Sequence, residues 1–155
     1  MPKSELEPAD IRILDTLQGE GRLTNQALAE RVGLSASPCW RRVNRLEQDG
    51  VIAGYRSVLD RQKIGHGVLA FIRVRIDSHS EEEAEEFSRS VMRLKEVVAC
   101  YSVAGDADFL LQVVSSDLDS YADFAMNVVR RLPGIKEMQT TFVLKEIKPF
   151  AGFPV

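Results

Sequence analysis

The sequence of 155 residues contains only two cysteines and two histidines, and it lacks any long apolar stretch. Cys39 and Cys100 make no disulfide framework, and their spacing from His66 and His79 matches no zinc-binding pattern. No apolar run approaches the roughly 20 residues that a membrane span needs, and the polar N-terminus has no apolar core of a secretory signal. We therefore expect a protein of the reducing cytoplasm, with no membrane partner, no metal site and no cofactor.

An excess of positive charge is also absent, because the formal net charge is −3. A protein that binds nucleic acid usually carries a basic patch or stripe, so in this chain any such contact must be local. Hydrophobic residues make up 45% and charged residues 28% of the chain, which is typical of a globular protein with an apolar core.

Neither histidine lies in a pattern typical of catalysis. Catalysis usually needs a nucleophile and a base, or an acid and a base, held in a defined geometry. His66 falls in a linker-like segment and His79 at the start of a predicted helix, and no Ser, Cys or Asp spacing indicates a triad. An enzyme is therefore disfavoured.

The first 50 residues predict three short helices. Pro8 suits the first turn of the first helix. Thr24 can cap a second helix, which Gly33 ends, and Ser35 can cap a third over residues 36–49. Two helices joined by a three-residue turn that contains glycine are typical of a helix-turn-helix.

Composition shifts suggest two domains. A segment rich in β-formers, VIAGYRSVLD at residues 51–60, follows the third helix and predicts a strand that completes a first domain of residues 1–60. Residues 61–67 contain two glycines and mixed charges, as expected of a linker. The second domain is predicted over residues 68–155.

The second domain follows a β-α-β-β-α-β pattern. The six predicted elements cover residues 68–77, 80–94, 97–105, 106–114, 117–132 and 135–148. This order is the split βαβ unit, in which four strands form an antiparallel sheet with both helices on one face. The fold class is therefore α+β, with a ferredoxin-like second domain.

The strands of this sheet are apolar on both faces. In the first strand Ala70, Ile72 and Val74 alternate with Leu69 and Phe71. Since the helices can cover only one face, a second face open to water would be polar. We therefore expect another copy of the chain to cover it, in a homodimer.

The third helix has one apolar and one basic face, within the segment SASPCWRRVNRLEQDG at residues 35–50. On a helical wheel Cys39, Val43 and Leu46 share one side. The opposite side carries Ser37, Arg41, Asn44, Arg45 and Gln48, with Trp40 and Arg42 on its flanks. These donors suit base edges and phosphates, so the pattern indicates a recognition helix in the major groove of double-stranded DNA. The alternative is a solvated basic face.

Three segments resemble one family of transcription regulators. RVGLSASPCWRRVNRLEQDGVIAGY resembles the winged helix-turn-helix of the Lrp/AsnC (leucine-responsive and asparagine-responsive, feast/famine) regulators, and VAGDADFLL and RLPGIKEMQTTFVLKEIK resemble their C-terminal amino-acid-sensing, RAM-type domain. The resemblance covers about residues 7–148. It implies DNA binding, sheet-to-sheet dimers that often assemble to octamers, and a small effector, commonly an amino acid, bound between dimers. The DNA contacts are expected from Ser35, Ser37, Pro38, Trp40, Arg41, Arg42, Asn44 and Arg45.

The resemblance also implies an effector site around the turn at residues 105–108. An aspartate can hold the ammonium group of an amino acid, and backbone N–H groups of a glycine turn can hold its carboxylate. Gly and Asp are equally the ordinary residues of a tight hairpin. The expected effector contacts are Tyr101, Gly105, Asp106, Asp108, Tyr121, Thr140, Thr141, Phe142 and Val143, although core packing is equally plausible for the two tyrosines.

Ala107 departs from related proteins, which often carry an aromatic residue at this place. Two interpretations follow: the site accepts a larger effector side chain, or the protein responds to no ligand. A metabolite-binding regulatory module without DNA binding is the alternative to a regulator, but it does not explain the basic face of the third helix. The apolar end, residues 149–155, is expected to dock on an oligomer interface, with fraying as the alternative.

Overall fold

The computed structural model describes residues 6–77 and 81–155, so the prediction for His79 lies outside the described residues. The chain divides into two compact units. The second unit is Leu59–Glu146, and the first combines the chain before it with Ile147–Val155. The sequence assigned these last residues to the second domain, whereas their contacts group them with the first unit.

Local signals set the helices of the first unit, which are α1 (Pro8–Gly19), α2 (Asn25–Val32) and α3 (Ala36–Gln48). The Thr24 hydroxyl accepts a hydrogen bond from the N–H of Ala27 at 3.2 Å and so caps α2. Gly33 ends α2 with a φ of 70°, in the left-handed region that favours glycine. Ser35 occupies the N-cap position of α3, but its side chain makes no capping hydrogen bond.

The three helices pack around one apolar core. Its buried members are Ile13, Leu14, Leu28, Ala29, Val32, Cys39 and Leu46. Val43 is partly buried against this cluster, which confirms the predicted inner face of α3. Burial raises the pKa of the Cys39 thiol, so this cysteine is a core residue of low reactivity.

Residues 51–60 form no strand in the chain, although the sequence predicts one. A strand needs a neighbouring strand for its backbone hydrogen bonds, and this segment pairs with no strand of the described residues. Its side chains are largely exposed, with Val58 at 99% and Leu59 at 65%. Tyr55 is tied to α3, because its hydroxyl donates to Oε1 of Glu47 at 2.8 Å.

The C-terminal segment packs within the first unit. The Phe153 N–H donates to Oε1 of Gln18 at 2.6 Å, and Nε2 of Gln18 donates to the Phe153 carbonyl at 2.9 Å. The rings of Phe150 and Phe153 meet edge to face, with centroids 5.1 Å apart. Together with Leu14 and Leu17 they border an open cavity of about 720 Å³. The segment is thus bonded to α1, and its docking on an oligomer interface stays a prediction.

The second unit has the predicted βαββαβ order. Its elements are β1 (Val68–Ile76), α4 (Glu81–Val91), β2 (Val97–Ser102), β3 (Phe109–Ser115), α5 (Leu118–Asn127) and β4 (Ile135–Phe142). The strands form one antiparallel sheet in the order β2-β3-β1-β4. β4 ends at Phe142, six residues before the predicted end at residue 148. No helix of the described residues is both long and apolar enough to cross a membrane.

The two faces of the sheet differ in their cover. Ala70, Ile72 and Val74 of β1 lie in a core with Phe87 of α4 and Phe124 of α5, so both helices pack on this face. The register places Leu69, Phe71, Leu110, Val114, Tyr101 and Thr141 on the other face. That face carries apolar side chains of β1 and β3 together with the polar Arg73 and Gln112, and no helix of the described residues covers it.

Candidate DNA-binding surface and effector site

The outer face of α3 is exposed and free of acids before Glu47. Ser37, Arg41 and Arg45 are exposed, and Trp40 keeps 57% of its surface open. Ser35 is also exposed, whereas Pro38, Arg42 and Asn44 are half-buried. The predicted contact residues thus lie on α3 or at its N-cap, with Arg41 on the side opposite the buried Cys39 and Leu46 and Arg42 on a flank.

The three arginines of this helix differ in their partners. Arg41 makes no hydrogen bond or ion pair with residues 6–77 or 81–155. Arg42 binds two acids at the start of α1: Nη1 lies 3.0 Å from Oδ1 of Asp10, and Nη2 lies 2.8 Å from Oε2 of the N-cap residue Glu7. Arg45 binds α1 once, with Nη2 at 2.5 Å from Oδ2 of Asp10. The sequence showed the basic face but not that two of its arginines are paired.

Asp10 lies beneath this face and is 0% exposed. Burial would raise the pKa of its carboxyl, but the Glu7 N–H together with Arg42 and Arg45 outweighs burial and lowers the pKa. The same contacts, from Asp10 and then Glu7, raise the pKa of Arg42. Sequence reasoning missed this acid because an aspartate in the first turn of a helix is ordinary.

A second missed residue holds α3 in place. Nδ2 of Asn25, the first residue of α2, donates to the carbonyl of Ala36, the first residue of α3, at 2.9 Å. This bond ties the starts of the two helices together across the turn. An asparagine at the start of a helix gives no sequence signal for such a contact.

The effector candidates in the turn after β2 have two kinds of environment. Gly105 has a φ of 133°, which an L side chain rarely adopts. Asp108 is engaged by β1, because its Oδ2 accepts the Ile76 N–H at 2.8 Å and its own N–H donates to the Val74 carbonyl at 2.9 Å. Asp106 is exposed and borders a small cleft of about 210 Å³. The other lining residues are Arg73, Arg75, Ala107, Glu137 and Gln139.

A second group of candidates lies on the helix-covered face. The Tyr121 hydroxyl and the Thr140 hydroxyl are 2.5 Å apart, and the Tyr121 ring meets the Phe142 ring edge to face at 4.9 Å. Tyr121 is only 5% exposed. Burial raises the pKa of Tyr121, and the hydrogen bond with Thr140 opposes the rise. Packing alone therefore accounts for Tyr121 in the single chain.

One chain does not gather all the effector candidates into one pocket. Thr140 and Phe142 pair with Ile72 and Ala70 of β1, whereas Asp108 binds at Val74 and Ile76. Four to six residues of strand separate Ala70 from those positions, which is about 13–20 Å. Tyr101 and Thr141 point to the helix-free face, and Val143 donates its N–H to the Leu69 carbonyl at 2.9 Å.

Two family models match the chain. Residues 6–53 match a winged helix-turn-helix DNA-binding domain, and residues 69–152 match the Lrp/AsnC ligand-binding domain. The first match confirms the DNA-binding domain although residues 51–60 form no strand in the single chain.

Relatives match over nearly the full length. The DNA-binding transcriptional activator DecR of Escherichia coli K12 is 35% identical over 150 residues, which cover 97% of this chain and 99% of that protein. The leucine-responsive regulatory protein of the same strain is 35% identical over 147 residues, covering 95% and 90%.

Solved structures share the fold. The regulator NMB0573 of Neisseria meningitidis, crystallised as an L-Met complex, matches with a TM-score of 0.92 and 40% identity over 96% of each chain. An AsnC family regulator from Agrobacterium tumefaciens matches with a TM-score of 0.90 and 36% identity, again over 96% of each chain.

These relatives are transcription regulators, which confirms the predicted regulator and sets aside both the enzyme and the module without DNA binding. The chain carries both parts of such a regulator, a winged helix-turn-helix and an effector-binding domain. It belongs to the Lrp/AsnC family and is a DNA-binding transcription regulator that responds to a small effector.

Proposed function

We propose that α3 enters the major groove and that Arg41 is its principal reader of DNA. The observation that carries this proposal is an exposed guanidinium without a partner among the described residues, on a helix face free of acids before Glu47. Such a group can bind guanine O6 and N7 bidentately or a phosphate. Ser37 and Asn44 share this face and can add polar contacts.

We further propose that the effector is an amino acid bound between copies of the chain. The Neisseria relative, 40% identical, was solved with L-Met. The separation of the candidate residues within one chain supports a site completed by a second copy. The apolar side chains on the helix-free face, among them Leu69, Phe71 and Leu110, support a sheet-to-sheet dimer, and the resemblance supports further assembly to an octamer. A dimer would place two recognition helices on half-sites about one helical turn of DNA apart. We place this function in the cytoplasm.

Arg41→Ala tests the DNA-binding proposal. The probes are a duplex selected from a random library by the wild-type protein and a scrambled duplex of equal length. If Arg41 reads a base, the variant binds the selected duplex about 5- to 150-fold more weakly, since a bidentate contact is worth about 1–3 kcal/mol. If Arg41 binds a phosphate, affinity for both duplexes falls and the slope of log K against log salt decreases by about 0.9.

Arg31→Ala is the matched control, because it removes an exposed arginine from α2 that pairs with Glu20 instead of facing outward from α3. We expect it to leave the preference for the selected duplex unchanged. A folded Arg41→Ala protein with wild-type affinity for both duplexes at every salt concentration contradicts the proposal.

A further inference from the structure

A fully buried carboxylate connects α1 to the recognition helix. Both oxygens of Asp10 are occupied: Oδ1 by Arg42 at 3.0 Å, and Oδ2 by Arg45 at 2.5 Å and by the Glu7 N–H at 3.1 Å. Asp10 is 0% exposed, and it is one of two buried polar or charged residues among the described part of the chain. The other, Ser115, lies in β3 of the second unit.

Stability of the fold is a weak reason for this arrangement. Removing a carboxylate from water is costly, and replacement of a buried ion pair by apolar residues is often neutral or stabilising. The first unit already has an apolar core in which leucine, isoleucine and valine predominate. A charge kept at this place therefore needs a role beyond packing, and the best-attested role of buried ionic groups is to specify a geometry.

The geometry that Asp10 specifies is that of two arginines on α3. Arg42 and Arg45 are three residues apart and so are neighbours on the helix surface. Arg42 has two acidic partners, Asp10 of α1 and its N-cap residue Glu7, and a side chain only 26% exposed. Arg45 has one acidic partner and a side chain 47% exposed. A guanidinium has five N–H donors in a planar fork, so Arg45 keeps donors for another ligand while one of them is held.

We propose that Asp10 is a positioning residue for DNA recognition: it fixes the Arg45 guanidinium before DNA arrives, and it fastens α3 to α1 through Arg42. Arg45 reaches DNA with its fork already oriented, so less side-chain freedom is lost on binding. Arg42 is a tie between helices, which differs from the direct DNA contact that the sequence suggests. The inference rests on the proposed contact between α3 and DNA.

Asp10→Asn tests this role, because asparagine has nearly the same shape without the charge. Asp15→Asn is the control: the same substitution, on the same helix, at an exposed position. Affinities are measured for the selected and the scrambled duplex at a temperature where circular dichroism shows each protein fully folded. We expect Asp10→Asn to lower the ratio of the two affinities about fivefold or more, the lower end of what one bidentate contact is worth, while the control keeps the wild-type ratio.

The affinity ratio separates positioning from stability. A protein that is merely less stable loses binding to both duplexes alike, whereas a misplaced arginine loses preference. Asp10→Asn and Asp15→Asn each remove one negative charge, so any increase in affinity for scrambled DNA that comes from net charge appears in both variants. Asp10 acts partly through Arg45 and partly through the Arg42 tie, so the loss of preference in the double variant Asp10→Asn/Arg45→Ala should be smaller than the sum of the two single losses. A wild-type ratio for Asp10→Asn, or losses that add in the double variant, overturns the proposal.

A measurement on the wild-type protein covers the case in which Asp10→Asn does not fold. Side-chain ¹⁵N relaxation in the absence of DNA should show the Arg42 and Arg45 guanidinium groups ordered and that of Arg41 mobile. Equal mobility of Arg45 and Arg41 overturns the proposal. If instead Arg41→Ala leaves DNA binding unchanged, the groove assignment of α3 itself fails; if Arg41→Ala weakens binding but Asp10→Asn does not, only the positioning role fails.

Discussion

Phe71→Asp is expected to separate copies of the chain without unfolding them. Phe71 lies half-buried on the helix-free face of β1, opposite Gln112 of β3 and Thr141 of β4. Its neighbour Ile72 points to the other face and is 0% exposed. A charge at position 71 can keep its contact with water in the separate chain, whereas a charge at position 72 enters the core.

The magnitude follows from symmetry and burial. In a closed two-fold dimer the same face meets itself, so one substitution acts twice. Phe71 is half-buried in the single chain, so only part of its apolar surface is left to bury and the lost apolar contact is about 1 kcal/mol per copy. Removing the new carboxylate from water costs several kcal/mol more. A total of at least about 3 kcal/mol raises the Kd of the dimer by about 100-fold or more.

Sedimentation velocity over a concentration series measures this change, with circular dichroism to follow folding. Phe71→Leu is the conservative control and is expected to stay associated. Ile72→Asp is the opposite control and is expected to unfold the second unit. A Phe71→Asp protein that sediments as the wild type does at every concentration refutes the reasoning that this face is buried between copies.

Two further predictions concern the C-terminal segment and the effector. Deleting residues 149–155 removes both hydrogen bonds between Gln18 and Phe153. Each bond is worth about 0.5–1.5 kcal/mol, so the deletion is expected to lower the melting temperature measured by calorimetry. An unchanged melting temperature favours a frayed tail. In a thermal-shift panel of the standard amino acids, at least one is expected to stabilise the protein by about 2.7 kcal/mol at a hundredfold excess over its Kd. Asp106→Ala is expected to abolish that shift. It is a cleaner variant than Asp108→Ala, because Asp108 also binds the Ile76 N–H. If Asp106→Ala responds as the wild type does, the turn does not bind the effector.

The periodicity of the chain predicted most of the fold, because each helix and strand in a small domain buries one defined face. The alternation in β1 separated Ala70, Ile72 and Val74 from Leu69 and Phe71, and the structure packs the first set against the helices. The wheel of α3 gave Cys39 and Leu46 as its buried side. Caps such as Thr24 act within one turn of chain, so they can be read from neighbouring residues.

The prediction of a strand over residues 51–60 was wrong for the single chain, because strand formation does not depend on neighbouring residues alone. β-propensity describes side chains that fit a pleated surface, but a strand exists only when another backbone supplies hydrogen bonds. β4 shows the same limit, since its pairing with β1 ends at Ala70 and Phe142 although β-forming residues continue beyond that point. Amino-acid composition does not show where pairing with the neighbouring strand ends.

The sequence by itself determined the order of the elements, the apolar and basic faces of α3 and the family, because these depend on residues close together in the chain or on motifs that the chain carries in order. Tertiary structure decided which charges remain available. Asp10 and Arg45 are 35 residues apart, and only the packing of α1 against α3 brings their atoms to 2.5 Å. It also decided that Asp108 is engaged while Asp106 stays open. The sequence shows which residues carry a charge, but the partner of each charge depends on the distance between them. Residues remote in sequence come close together only when the chain folds.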